Sequence, residues 1–164
     1  MTHPLPEAKK SLGQNYLVDP NIKRRIAEAI GAKADQPVIE IGPGPGAITE
    51  ELLKLGAHVT AVEKDERFLP YLEELSTAHD NHLTIEHTDV LKLNLADLAP
   101  TPCPLAGNLP YNIGTQIVIN ALQTPGAFTH MVFLLQKEVV ERITAQPNSK
   151  DWGRLGVLCS ALAD

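Results

Sequence analysis

The stretch PVIEIGPGPGAITEELLKLGAHVTAVE, residues 37–63, decides the fold. PVIEIG is a short β-branched run of the kind that forms a buried strand. AITEELLKLG then places Ile48, Leu52 and Leu55 on one side of a helix that Gly56 stops. HVTAVE is a second strand of the same type. A strand, a glycine turn, a helix and a second strand make a βαβ unit, whose two strands run parallel.

The alternation continues outward. Upstream, DPNIKRRIAEAI (19–30) offers Asp19 as an N-cap, Pro20 at the first helical position, and Ile22, Ile26 and Ile30 on one face. Downstream, ERFLPYLEELS (66–76) is a helix with Phe68, Leu72 and Leu75 in register, provided Pro70 falls in its first turn. LTIEH (83–87), CPLAGN (103–108) and HMVFLLQ (130–136) read as strands three, four and five. TQIVINAL (115–122), with Ile117, Val118 and Ala121, and KEVVERIT (137–144) read as helices. In RLGVLCSALAD (154–164), Leu155, Leu158, Cys159 and Leu162 fall at helical spacing, which favours helix over strand. AQPNSKDWG (145–153) is the most turn-rich connection. The expected fold is therefore α/β, Rossmann-like, with a doubly wound and mostly parallel sheet and ligands at the carboxyl ends of the strands. Residues 1–164 read as one domain with a proper core.

Composition narrows the function classes. No apolar run approaches the roughly eighteen residues of a membrane span, and MTHPLPEAKK lacks the apolar centre of a signal peptide. Cys103 and Cys159 are far apart and form no paired motif, as expected of reduced packing residues in a cytosolic protein. His79, His82 and His87 occupy a loop and strand without a cysteine partner, so no metal site is expected. The net charge of −6 is unevenly spread: residues 1–33 carry six Lys/Arg against three Asp/Glu. A basic segment of this kind is either a solvated helix face or a phosphate contact.

The chemistry-bearing residues all fall where strands end. In EIGPGPGA (40–47), Gly42, Gly44 and Ala47 satisfy the dinucleotide pattern G-x-G-x-x-A. Pro43 and Pro45, however, lack the N–H groups a pyrophosphate needs, and the negative charge of Glu40 would repel phosphate and suit a cationic group. Glu63 ends strand two, 21 residues past Gly42, where an acid binds ribose hydroxyls. Asp89 follows strand three and can accept from the exocyclic amine of an adenine. Either acid could instead be a helix cap. At the end of strand four, GNLPYN (107–112) combines an amide (Asn108), a stiffened turn (Pro110) and a π face (Tyr111), a platform for the edge and face of a flat polar ring. Asn108 could also be a turn residue and Tyr111 rim packing. A nucleoside cofactor with a charged tail and no phosphate fits this set, and S-adenosylmethionine is such a molecule.

With these residues in hand, the chain resembles the small-subunit ribosomal RNA adenine-N6,N6-dimethyltransferase family almost from end to end. The resemblance lies in SLGQNYLVDPN (11–21), EIGPGPGAIT (40–49), AVEKD (61–65), TDVL (88–91), GNLPYNIGTQIV (107–118) and LLQKEVVERITAQPNSKDWGRL (134–155). It implies a class I methyltransferase fold and transfer of methyl groups from S-adenosylmethionine to N6 of two adjacent adenosines in a hairpin near the 3′ end of small-subunit rRNA, with a role in subunit biogenesis. By this resemblance Asn15 and Leu17 cover the cofactor, and Gly42 and Gly44, with Glu40 nearby, approach its amino acid moiety. Glu63 binds the ribose, Asp89 the adenine, and Asn108 lies beside the methyl group and the target amine. It also implies that closing strands and a helical C-terminal domain follow residue 164, that without them strand five is an open edge and RNA methylation suffers more than cofactor binding, and that the partner is rRNA in a pre-formed small subunit, met by a cytoplasmic monomer without metal or membrane.

The target amine is a poor nucleophile because its lone pair is delocalised into the adenine ring. The Asn108 side-chain oxygen and the Leu109 carbonyl would accept its two N–H groups and turn the lone pair toward the methyl group for in-line displacement. Pro110 holds that turn, and Tyr111 would stack on an adenine taken out of its own stack. Gly107 and Gly114 are expected to leave room for the once-methylated amine. Three other readings stay open: a large-subunit rRNA methyltransferase of the same fold, a non-catalytic assembly or RNA-binding factor, and a nicotinamide oxidoreductase. Pro43, Pro45 and the strand-four platform disfavour the last.

Overall fold

The computed structural model describes residues 5–7, 16–98 and 101–163. Asn15, and with it Lys9 and Lys10 of the basic segment, lies outside the described residues. Five strands form one sheet: β1 (Pro37–Ile41), β2 (His58–Glu63), β3 (Leu83–His87), β4 (Cys103–Asn108) and β5 (Phe128–Leu134). Their order is β3-β2-β1-β4-β5, and every pairing is parallel. The chain thus winds outward from β1 to β3, then returns to the opposite side of β1. That reversal leaves a crevice between the carboxyl ends of β1 and β4, where ligands of open α/β sheets bind. Ile41 is in register with Gly107 across it.

Side chains alternate between the two faces of the sheet. Val38, Val59, Ala61 and Ala106 face the helices α1 (Pro20–Ile30), α2 (Ala47–Lys54) and α3 (Leu69–Ala78), where Ile26, Ile30, Ile48, Leu52 and Leu72 complete one core. Ile39, Ile41, Val62 and Leu105 face α4 (Gly114–Leu122) and α6 (Arg154–Leu162), which contribute Ile117, Val118, Ala121 and Cys159 to a second. The short α5 (Lys137–Ile143) buries none of its residues. Strands covered on both faces are apolar along most of their length, which is why β1, Glu40 apart, and β4 lack the alternation of a half-exposed strand.

Local chemistry sets the element ends. Asp19 Oδ1 accepts the N–H groups of Asn21 and Ile22 at 2.8 and 3.4 Å, and Gly31 closes α1 at a φ of 63°. Pro70 sits in the first turn of α3, after a single 3₁₀ turn at Glu66–Phe68. Three residues expected on apolar helix faces are exposed, among them Leu162, 47% exposed at the last residue of α6. Ile22 is 42% exposed because the core begins only at Ile26, one turn into α1, and Leu55 is 46% exposed because α2 ends at Lys54. Cys103 and Cys159 are both free thiols buried in the second core. Among the described residues, no helix is long and apolar enough to cross a membrane.

Candidate functional site

A pocket opens at the carboxyl ends of β1, β2 and β4. It is lined by Tyr16, Leu17, Glu40, Gly42, Gly44, Glu63, Asp89, Asn108, Leu109, Pro110 and Tyr111, among others. The structure therefore brings together every described residue that the sequence singled out as catalytic or cofactor-binding.

The floor is the turn between β1 and α2. Gly42, Gly44 and Gly46 all adopt positive φ (65°, 56° and 87°), a run that side chains with a Cβ resist. The Gly42 N–H donates to the Val62 carbonyl at 2.9 Å, so the turn is tied to β2. Glu63 ties it again: its Oε2 accepts the Gly44 N–H at 3.0 Å, while Oε1 accepts the Asp65 N–H at 2.7 Å. Burial pushes the Glu63 carboxyl above the usual range, and these backbone amides oppose that push.

Glu40 lies beneath this floor. Counting by twos from Val38 places its side chain on the α2 face, where the Thr49 hydroxyl donates to Oε2 at 2.7 Å. Only 1% of Glu40 is exposed, and burial lifts its pKa from 4.5 to about 7, with the Thr49 hydrogen bond opposing. The site thus holds a carboxyl group at its floor that is ready to ionise when a cation arrives nearby.

Asp89 follows β3 and does act as a cap, the alternative the sequence left open. Its Oδ1 accepts the Leu91 N–H at 3.1 Å at the start of a 3₁₀ turn, Val90–Lys92. Its Oδ2 pairs with Lys64 Nζ at 2.8 Å, and this pairing holds the Asp89 carboxyl below its ordinary range. Capping does not exhaust the group, because each carboxylate oxygen has two acceptor sites. Glu63 is not a side-chain cap; Asp65 caps the turn that follows it and also pairs with Arg67 at 2.6 Å.

The platform residues divide by depth. Leu109 is buried, with its side chain in the second core and its N–H donating to the Leu134 carbonyl at 3.1 Å. Asn108 is half-buried, and Tyr111 stands 51% exposed at the rim. Gly107 and Gly114 do not open into the pocket. A Cβ on Gly107 would lie 2.6 Å from the Ile41 carbonyl, and one on Gly114 would lie 3.1 Å from the Leu135 side chain. The expectation that they make room for a methylated amine is corrected: both serve the packing of β4 on β1 and of α4 on the loops beside it.

Tyr16 and Thr49 were not singled out from the sequence. Tyr16 lines the pocket, donates to the Pro6 carbonyl at 2.7 Å and packs edge-on against Phe68. Through it and Leu17, the segment before α1 forms one wall. Among the described residues, no three His, Cys, Asp or Glu side chains come together in a way that could hold a metal ion.

The residues fit S-adenosylmethionine on this structure's own terms. A floor without N–H groups at Pro43 and Pro45, above a buried acid, disfavours phosphate and suits a cationic tail. Two carboxylates spaced along the wall suit a nucleoside.

Comparison with known proteins agrees. The Caulobacter vibrioides protein named ribosomal RNA small subunit methyltransferase A is 43% identical over 157 residues, which is 96% of this chain and 61% of that protein. The Brucella anthropi protein of the same name is 48% identical over 155 residues, 92% of this chain and 56% of that one. This chain therefore spans little more than half the length of these curated relatives. Among solved structures, a dimethyladenosine transferase from Plasmodium falciparum superposes with a TM-score of 0.77 at 26% identity, covering 88% of this chain and 51% of that one. The 23S rRNA methyltransferase ErmE does so with a TM-score of 0.72 at 31% identity, covering 88% and 55%. The sequence model of one family, ribosomal RNA adenine dimethylase, matches residues 6–164, and the chain belongs to that family.

Proposed function

We propose that this chain is the catalytic domain of an S-adenosylmethionine-dependent enzyme that dimethylates N6 of two adjacent adenosines in a hairpin of small-subunit rRNA. The observation that carries this reading is the convergence, in one pocket, of the Asn108–Tyr111 platform with Glu63, Asp89 and the glycine turn. Bound there, S-adenosylmethionine supplies an electrophilic methyl group on a sulfonium centre. Glu63 would hold the ribose hydroxyls, Asp89 the adenine amine, and Gly42 and Gly44 the amino acid end, with Leu17 and, by the family resemblance, Asn15 covering the cofactor. Glu40 balances the charge beneath.

The reaction asks little proton chemistry of the protein. The Asn108 side-chain oxygen and the Leu109 carbonyl accept the N–H groups of the target amine and fix its lone pair toward the pocket. Pro110 keeps that turn rigid. Tyr111 stacks on the extruded adenine and excludes water from one face. The proton leaves to solvent after transfer.

The partner in this reading is a pre-formed small subunit in the cytoplasm, met by a monomer, with a place in subunit biogenesis. Family membership and the relatives named for the small subunit support it. The likeness to ErmE favours a second reading, methylation of large-subunit rRNA. Incubating the chain with unmethylated small or large subunits and S-adenosylmethionine, then measuring N6-methylated adenosines by mass spectrometry, separates the two. Dimethyladenosine in small-subunit rRNA, lost in Asn108→Ala, is the expected result; product only in large-subunit rRNA would overturn it.

A further inference from the structure

The pocket explains how a base and a cofactor could be held, but not how a polyanion approaches a chain whose net charge is −6. The first two turns of α1 offer an answer. They follow directly from Tyr16 and Leu17, which line the pocket, so the chain enters α1 from the pocket wall. Arg24 and Arg25 are exposed there and Lys23 is half-exposed. Among the described residues Lys23 and Arg25 have no ion pair. Arg24 touches Glu28 only loosely, at 3.9 Å, with both side chains about two-thirds exposed. Such a pair contributes little and opens easily to a stronger anion.

The same ledge exposes apolar surface. Val18 is 74% and Ile22 42% exposed: they precede the point, one turn into α1, at which the same apolar stripe becomes buried at Ile26 and Ile30. A single exposed aliphatic residue is ordinary. Two on one short segment, beside three cations and the pocket wall, match the two demands of an unpaired RNA strand, which presents phosphates on one side and unstacked bases on the other.

We infer that the Val18–Arg25 ledge is a docking surface for the RNA strand flanking the target adenosine, with Lys23, Arg24 and Arg25 on its phosphates and Val18 and Ile22 against its sugars and bases. This rests on the RNA reading of the pocket and adds where the strand runs. Two acids moderate the ledge: Asp19, exposed within it and occupied in capping α1, and Glu28 beside Arg24.

The test is binding of a fluorescent oligoribonucleotide hairpin, with two adjacent adenosines in its loop, to the S-adenosylmethionine-loaded chain across a range of salt. Replacing the three cations together (Lys23→Ala, Arg24→Ala, Arg25→Ala) should weaken binding roughly ten- to a hundredfold and lower the slope of log affinity against log salt by about 2. Cofactor binding and the melting temperature should stay unchanged. Val18→Ser should weaken binding with the slope intact, and Glu28→Gln should strengthen it. Wild-type affinity and slope in the triple variant would overturn the ledge while leaving the RNA reading in place. A wild-type chain that binds neither the hairpin nor small subunits would overturn both.

Discussion

Glu63, the last residue of β2, holds the glycine turn in place: its Oε2 accepts the backbone N–H of Gly44 at 3.0 Å. The carboxylate assigned to the ribose is therefore also a strut for the floor on which the cofactor's other end rests. Removing it should do two things at once. Glu63→Ala is expected to weaken S-adenosylmethionine binding by at least roughly tenfold, since a charged hydrogen-bonding group contributes about 1.5–3 kcal/mol. It should also lower the melting temperature, because the Gly44 and Asp65 amides lose their acceptor. Glu63→Gln, which keeps an acceptor oxygen, should recover most of the stability and only part of the affinity. Calorimetry and a thermal melt on both variants check this.

Glu40 makes stability depend on pH. Its folded pKa of about 7 lies above its ordinary 4.5, so between those values the folded state binds more protons than the unfolded state. Stability must then fall as pH rises from 4.5 toward 7 and level off above, a loss of roughly 3 kcal/mol from this group alone. Glu40→Gln should flatten that segment of the curve, measured by urea unfolding at a series of pH values. If the cofactor's ammonium group settles above Glu40, binding near pH 6 should release a proton from the wild-type protein and not from this variant. Calorimetry in buffers of different ionisation enthalpy reads that proton directly.

Tyr111 is half exposed at the rim, so its removal should spare the fold. Tyr111→Ala is expected to cut methyl transfer to RNA by roughly ten- to a hundredfold, the worth of one base–aromatic stack of about 1–3 kcal/mol. Cofactor affinity should be unchanged, and Tyr111→Phe should retain most activity. Loss of cofactor binding in Tyr111→Ala would place the residue in a different role.

Gly107 is a packing position. An added Cβ would meet the Ile41 carbonyl at 2.6 Å, a backbone atom that cannot swing away. Gly107→Ala should therefore cost on the order of 1–3 kcal/mol in urea unfolding, through separation of β4 from β1. A variant of wild-type stability with altered product distribution would instead revive a role for Gly107 in accommodating the methylated amine.

Much of this was legible from residues that act locally. Asp19, Pro20 and Gly31 mark the ends of α1 by hydrogen bonds within a turn, and CPLAGN matches β4 residue for residue. The strand-end acids were legible because a βαβ topology puts every carboxyl end on one side. What failed needed tertiary knowledge. Periodicity showed which face of α1 is apolar but not that the core starts at Ile26 rather than Ile22. Thr49 was readable in principle, since Glu40 lies two residues from buried Val38 and must face α2. The Lys64–Asp89 pair joins residues 25 apart and depends on β2 and β3 ending together, with Glu63 in register with His87. The space around Gly107 depends on a neighbouring strand's carbonyl, which no local pattern encodes.

The most direct measurement is a calorimetric titration of the folded chain with S-adenosylmethionine and, separately, with NAD. Saturable binding of S-adenosylmethionine that weakens in Glu63→Ala, with no binding of NAD, is the predicted result. Saturable NAD binding, or S-adenosylmethionine binding indifferent to Glu63, would contradict the assignment of this pocket.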